Sequence, residues 1–346
     1  MSAKRAKRRK QAPKCSRRAA FKAAAAVCIF FILWCIAGSW FVHHSRKWIA
    51  RRLETWPRFA TAPLMLVGQP VGEILDALGV TGHDAVYEYD VAAPSGEVFF
   101  AGAPVRIGSP APDDIQIIDR RDFKIGWSPK LRHPVWVAYH VPKDAAFPLP
   151  KRPQFSKDPS IKSTPPAESY RGSNFDRGHM APNYAIATRF GPEAQRRSFL
   201  MSNIAPQSAS LNRGVWREVE RRIADLWTAR YGEIWVIVGS IPSAGFNRIG
   251  TTGIDIPDAY YQVIVAQEGL DVRALALIYP QYVKWRAWPS CGIISIDELE
   301  ELSGFDFLPE LPDFIQTPLE AELPSRLWPI NIGDIFSFLS IHYISD

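Results

Sequence analysis

The sequence predicts an α+β fold behind an N-terminal transmembrane helix. Three observations carry that prediction. Positions 23–42 read AAAAVCIFFILWCIAGSWFV, twenty residues without a charge. Five short runs of aromatic and β-branched residues are spread between positions 136 and 279. Between the second and third of these lies one long amphipathic helical pattern over residues 212–231.

Taken in order, residues 1–22 hold ten Lys or Arg and no acid. The remaining 324 residues carry 31 basic and 35 acidic groups, a net of −4, so the formal charge of +6 belongs to the tail. At 1.5 Å per residue the apolar run 23–42 is long enough for a hydrocarbon core of about 30 Å. Ala37-Gly38-Ser39 offers the small residues of a signal-peptidase site. The run exceeds the usual signal core of about 7–15 residues, however, and this favours an uncleaved anchor. Ten basic residues precede the span, whereas His43 to Pro57 contains only Arg46, Lys47, Arg51 and Arg52 as firm cations. The positive-inside rule then puts the N-terminus in the cytoplasm of a bacterial-type inner membrane and the rest on the periplasmic side. Only Cys291 of the four cysteines lies beyond the span, which excludes an internal disulfide there.

Residues 43–98 read as a stalk or linker with one short helical pattern, Gly72 to Leu78. The β-type runs are Trp136 to Val141, Phe199 to Ile204, Ile234 to Val238, Tyr260 to Ala266 and Ala274 to Tyr279. In the helical pattern Val215, Trp216, Val219, Ile223, Leu226 and Trp227 share one face, and Gly232 supplies the stop. Residues 314–346 read as a C-terminal tail. The folded domain is therefore expected at 99–313.

Chemistry concentrates in residues 175–220. FDRGHMAPN packs a carboxylate, a guanidinium, a glycine and an imidazole into Asp176 to His179, and Gly178 suggests a tight turn presenting His179. Asp176 beside Arg177 reads equally as a surface pair. Asn212 stands where the helix begins, so it reads as an N-cap or a metal ligand, and Glu220 lies eight residues on, about 80° round and ~12 Å along an ideal helix. That spacing argues against both being direct ligands of one small ion. An ion on the Asn212 carbonyl with a water shared by Glu220 suits Mg²⁺.

Together these residues resemble the DNA/RNA non-specific endonucleases of the ββα-metal, or His-Me finger, class, which includes endonuclease G. The resemblance rests on DRGH at Asp176 to His179, on Asn212 and Glu220 with Trp216 between them, and on Asn203 followed by Pro206-Gln207. It extends over roughly residues 99–310. It implies a ββα-metal finger on a mixed, mainly antiparallel sheet with flanking helices. It further implies Mg²⁺-dependent hydrolysis of DNA and RNA, with Mn²⁺ as the alternative ion. His179 becomes the general base, Asn212 the direct metal ligand, and Glu220 its partner through water. Arg177 and Arg152 face phosphate, and Asn203 supports the geometry. Arg177, Arg213 and Arg217 bind substrate, joined by Arg171 and Arg189 in a local basic groove. The implied partners are DNA, RNA and the bilayer through 23–42, with a homodimer and an inhibitor protein left open. Two rivals stand beside this reading: a catalytically silent membrane-anchored nucleic-acid receptor, and a zinc hydrolase on His133, His140 and His179.

Overall fold

A computed structural model describes residues 86–89, 94, 96–108, 115–245 and 247–329. The basic tail, the predicted span 23–42, the helical pattern at Gly72 to Leu78 and residues 330–346 lie outside the described residues. Among the described residues no helix is long and apolar enough to cross a membrane.

The strands are β1 (Tyr87–Glu88), β2 (Val105–Arg106), β3 (Gln116–Asp119), β4 (Phe123–Ser128), β5 (His133–Val141), β6 (Asp176–His179), β7 (Ile204–Gln207), β8 (Ile234–Ile241), β9 (Arg248–Ile249), β10 (Ile254–Asp255), β11 (Ala259–Glu268), β12 (Asp271–Pro280), β13 (Ile293–Ile294) and β14 (Phe305–Asp306). The central sheet runs β1-β12-β11-β8-β5-β4-β3, with β13 added to β12, and every pairing in it is antiparallel. β6 and β7 form a separate two-stranded ribbon.

Both faces of the central sheet are covered. Ile234, Val236 and Val238 point into one core with Trp216, Val219, Ile223 and Trp227, while Trp235 and Ile237 point into the other with Ile296, Leu299, Ile315 and Leu319. Such strands read as near-continuous apolar runs, as IWVIV does throughout and YYQVIVA does apart from the buried Gln262.

Helix α1 (Asn183–Ser198) is broken at Gly191, whose φ of 84° precedes Pro192. Helix α2, residues 211–231, is a composite of Leu211–Val215 and Arg222–Trp227 in wide π turns with Trp216–Arg221 and Thr228–Tyr231 in α turns. It ends at Gly232, with φ 86°. Its fully buried Trp227 packs edge-on to Trp328 at 5.4 Å; truncating such a tryptophan to alanine costs about 3–5 kcal/mol. On the second face lie α3 (Ile296–Ser303), capped by Ser295, and α4 (Asp313–Ala321).

Two expectations need correction. The strand expected at Phe199 to Ile204 begins only at Ile204; Met201–Asn203 is a 3-10 turn whose side chains are fully buried. Residues 314–329, read as the start of a tail, are folded: Ile315 and Leu319 pack in the second core and Leu327 and Trp328 in the first.

Candidate active site

The DRGH segment is a strand rather than a turn. Asp176, Arg177, Gly178 and His179 pair with Gln207, Pro206, Ala205 and Ile204 of β7. Gly178 is needed for close approach: a Cβ there would lie 2.2 Å from Oε1 of buried Gln207. The buried Asn203 fixes the chain just past the motif. Its Oδ1 accepts from the Ala181 N–H at 2.9 Å, and its Nδ2 donates to the carbonyls of Ala181 and Ser198 at 3.0 and 2.9 Å.

The loop over residues 148–166 is tied to this ribbon. Ser156 N–H donates to Phe199 O, and Met201 N–H donates to Ser156 O at 2.9 Å. Asp158, almost fully buried, accepts from Ser160, Ser202 and Arg120. The loop thereby lays Phe155 against the His179 ring at 5.2 Å, and Phe199 meets the same ring nearly perpendicular at 4.5 Å. His179 is buried and its Nε2 has no hydrogen-bond partner. Burial, reinforced by the Arg152 charge, pushes its pKa down to about 3. At neutral pH it is an uncharged imidazole, the form that accepts a proton.

Asp176 does not pair with its neighbour Arg177. Its Oδ2 accepts from Asn212 Nδ2 at 2.9 Å and Arg213 Nε at 2.8 Å, and its Oδ1 accepts from Arg213 Nη2 at 2.6 Å. Although burial opposes it, these donors hold the Asp176 carboxyl below its ordinary value. A carboxylate can only accept here, so the Asn212 amide nitrogen faces Asp176 and its Oδ1 is the atom left to bind a cation. The N-cap reading of Asn212 fails separately, because Asn212 lies inside the turn Leu211–Val215, whose N-cap position is Ser210. The ideal-helix spacing of Asn212 and Glu220 does not hold either, because Gly214 leaves helical geometry (φ −98°, ψ −120°) between them. Burial pushes the Glu220 carboxyl up to about 8, against the pull of Arg217 and Arg152.

Arg152, Arg177, His179, Asn212, Arg213, Arg217 and Glu220 line one cleft of about 540 Å³. Asn203 does not line it. The cleft also includes Phe155, Asp176, Asn183 and Tyr184, and of these only Asp176 had been singled out in the sequence. The Arg177 guanidinium sits 4.8 Å from the Phe155 ring centre, and that of Arg152 5.4 Å from Phe199. Arg213, expected on substrate, is held bidentately by Asp176. Arg189, expected in the groove, is buried and donates to Thr188 Oγ1 and to the carbonyls of Pro142 and Ala224. Arg171 is exposed but does not line the cleft.

The donor set suits a hard divalent cation: an amide oxygen whose nitrogen is pinned, and a half-buried carboxyl within the same cleft. The zinc reading fails, because among the described residues His133, His140 and His179 do not bring their ligand atoms together. His140 Nε2 meets Glu233 at 3.1 Å, and His133 Nδ1 meets the Pro134 carbonyl at 2.9 Å.

Mouse mitochondrial nuclease EXOG is 32% identical over 199 residues, covering 52% of this chain and 53% of its own length. The nuclease of Serratia marcescens is 28% identical over 200 residues, covering 54% of this chain and 73% of its own. The chain thus spans about half the length of the EXOG relative. A chain from the crystal structure of an EndoG/EndoGI complex, titled for the mechanism of EndoG inhibition, superposes with a TM-score of 0.53. It is 22% identical and covers 59% of this chain and 89% of that one, which shows a shared fold. The profile of the DNA/RNA non-specific endonuclease family matches residues 101–314, well over half of the sequence, and the chain belongs to that family.

Proposed function

We propose that this chain is a Mg²⁺-dependent endonuclease that hydrolyses phosphodiester bonds of DNA and RNA without sequence preference. The observation that carries the reading is the His179 imidazole: uncharged at neutral pH and lining the same cleft as four arginines and a cation-compatible amide oxygen. His179 takes the proton of a water attacking phosphorus. Arg152 and Arg177 hold the non-bridging oxygens, and their contacts with Phe199 and Phe155 orient the guanidinium planes. Asn212 Oδ1 would bind the cation directly, with Glu220 accepting from its water shell. When bound, the cation supplies positive charge against the scissile phosphate and the departing 3′ oxygen. Asp176 acts as a positioning residue by holding the Asn212 amide. Phosphate contacts carry no base information, in keeping with a sequence-independent enzyme.

The anchored topology belongs to the same proposal. Charge asymmetry around residues 23–42 supports an inner-membrane span with the nuclease on the periplasmic side. The EndoG/EndoGI complex supports an inhibitor protein as a partner class.

The purified full chain incubated with supercoiled plasmid, linear DNA and RNA should degrade all three with Mg²⁺ and none with EDTA. His179→Ala should slow cleavage by at least ~10²-fold while remaining folded. No cleavage of any substrate, or undiminished cleavage by the folded His179→Ala variant, overturns the reading.

A further inference from the structure

The segment after β12, QYVKWRAW at residues 281–288, leaves two large aromatic side chains in solvent: Tyr282 is 74% exposed and Trp285 61%. The catalytic reading above uses neither. The segment nevertheless has a firm base. Gln281 Nε2 donates to the Pro206 carbonyl at 2.8 Å, its Oε1 accepts from Ser208 N–H at 2.8 Å, and its own N–H donates to Asp258 O at 2.8 Å. Pro206 lies directly across from Arg177 in the β6–β7 ribbon. Arg286, in the same turn, takes a φ of 63°, a left-handed conformation that a non-glycine residue seldom adopts without a local reason.

Tyr282 therefore sits one residue beyond a clamp on β7, the strand paired with the DRGH strand. Its ring meets that of Phe175 at 6.3 Å, inclined by 48°, and Phe175 immediately precedes Asp176 of the cleft. Tyr282 also lines a second hollow of about 380 Å³ with Asn247, Arg248 and Asp258. Asp258 is occupied in accepting from Ala244 N–H at 3.2 Å. Arg248 and Lys284 are exposed cations beside this path.

We infer that Tyr282, with Trp285, is a stacking platform for an unpaired base of a single strand leaving the catalytic cleft, with Arg248 and Lys284 serving its phosphates. The inference rests on the nuclease reading for what occupies the cleft. An aromatic face exposed to solvent stacks on any base, so the platform is compatible with sequence-independent cleavage. In a duplex the base faces are already covered by their neighbours, and the ring gains little. The platform thus favours single-stranded over double-stranded substrate.

The test separates binding from catalysis. The full chain carrying His179→Ala is titrated against a fluorescein-labelled 12-nucleotide oligothymidylate and against a 12-base-pair duplex, followed by anisotropy. Adding Tyr282→Ala should lower the ratio of single-strand to duplex affinity by about 5- to 150-fold, the span of one lost base stack. Tyr282→Phe should restore most of it, and Trp285→Ala should lower the same ratio. An unchanged ratio in Tyr282→Ala, or a parent that does not bind the oligonucleotide, overturns the platform and leaves the aromatic pair as a contact for some other partner. Failure of the nuclease reading shows separately, as absence of cleavage by the wild-type chain.

Discussion

Asn203 clamps Ala181 at both ends of one residue, accepting from its N–H at 2.9 Å and donating to its carbonyl at 3.0 Å. A side-chain amide here takes the place of a neighbouring strand, and Ala181 lies two residues past His179. Asn203→Ala would strand three buried backbone groups, so stability should fall by about 3 kcal/mol or more. Urea unfolding measures the loss. An unaltered midpoint would remove Asn203 from the scaffold.

The imidazole of His179 is depressed by burial first and by Arg152 second. A protonated imidazole cannot accept a proton, so rate is lost as pH falls through the folded pKa, which lies near 3 in the parent. In Arg152→Ala that pKa should rise toward 6.5, and the acid limb of the normalised pH–rate profile should move to higher pH. NMR titration of the His179 ring checks the direction; a pKa that stays put or falls argues against the coupling.

Asn212→Ala should raise the Mg²⁺ concentration for half-maximal activity and lower the maximal rate, since both occupancy and position of the ion suffer. Glu220→Gln keeps a hydrogen-bonding group on the water shell and should be milder in metal affinity, with losses of ~10 to 100-fold. Calorimetric Mg²⁺ titrations of both variants decide the matter. If Glu220→Gln abolishes metal binding while Asn212→Ala leaves it intact, the carboxylate is the direct ligand.

Gly178→Ala should be destabilising by about 1–3 kcal/mol, because the added methyl meets the Gln207 side chain inside the core. Introducing Gln207→Ala alongside it should recover part of that loss. Simple additivity of the two substitutions would mean that Gln207 is not the obstacle.

For the anchored topology, protease added to spheroplasts should digest the domain beyond residue 42 and spare the basic tail. Protection of the domain until lysis would place it in the cytoplasm.

Four strands of the central sheet were legible because both of their faces are largely buried, which forces near-continuous apolar runs broken only by single residues such as His140 and Gln262. β4, FKIGWS, was not, since its lysine, glycine and serine break the run. Helix α1 hid behind Gly191-Pro192, and α3 and α4 are short, with Pro318 inside α4. FLMSNI looked like a strand because it is apolar; it is buried as a turn instead, and the hydrogen-bonded ribbon starts at Ile204. At the site, DRGH and the Asn212–Glu220 pair were recognisable as motifs. The Asp176–Asn212–Arg213 cluster was not, because its members are 36 and 37 residues apart and no local period links them. Phe155 and Tyr184 lie on segments without an apolar repeat, so nothing in the sequence marked them as cleft residues.

The Asp176–Arg213 pair also governs how a polyanion meets this surface. Because that carboxylate is neutralised by its own arginine, Arg152, Arg177 and Arg217 remain as concentrated positive charge in the cleft, within a chain that is net negative after residue 22. At physiological ionic strength a field decays within about 8 Å. Nucleic acid should therefore feel little force from a distance and be captured on contact, and capture should weaken steeply as salt rises.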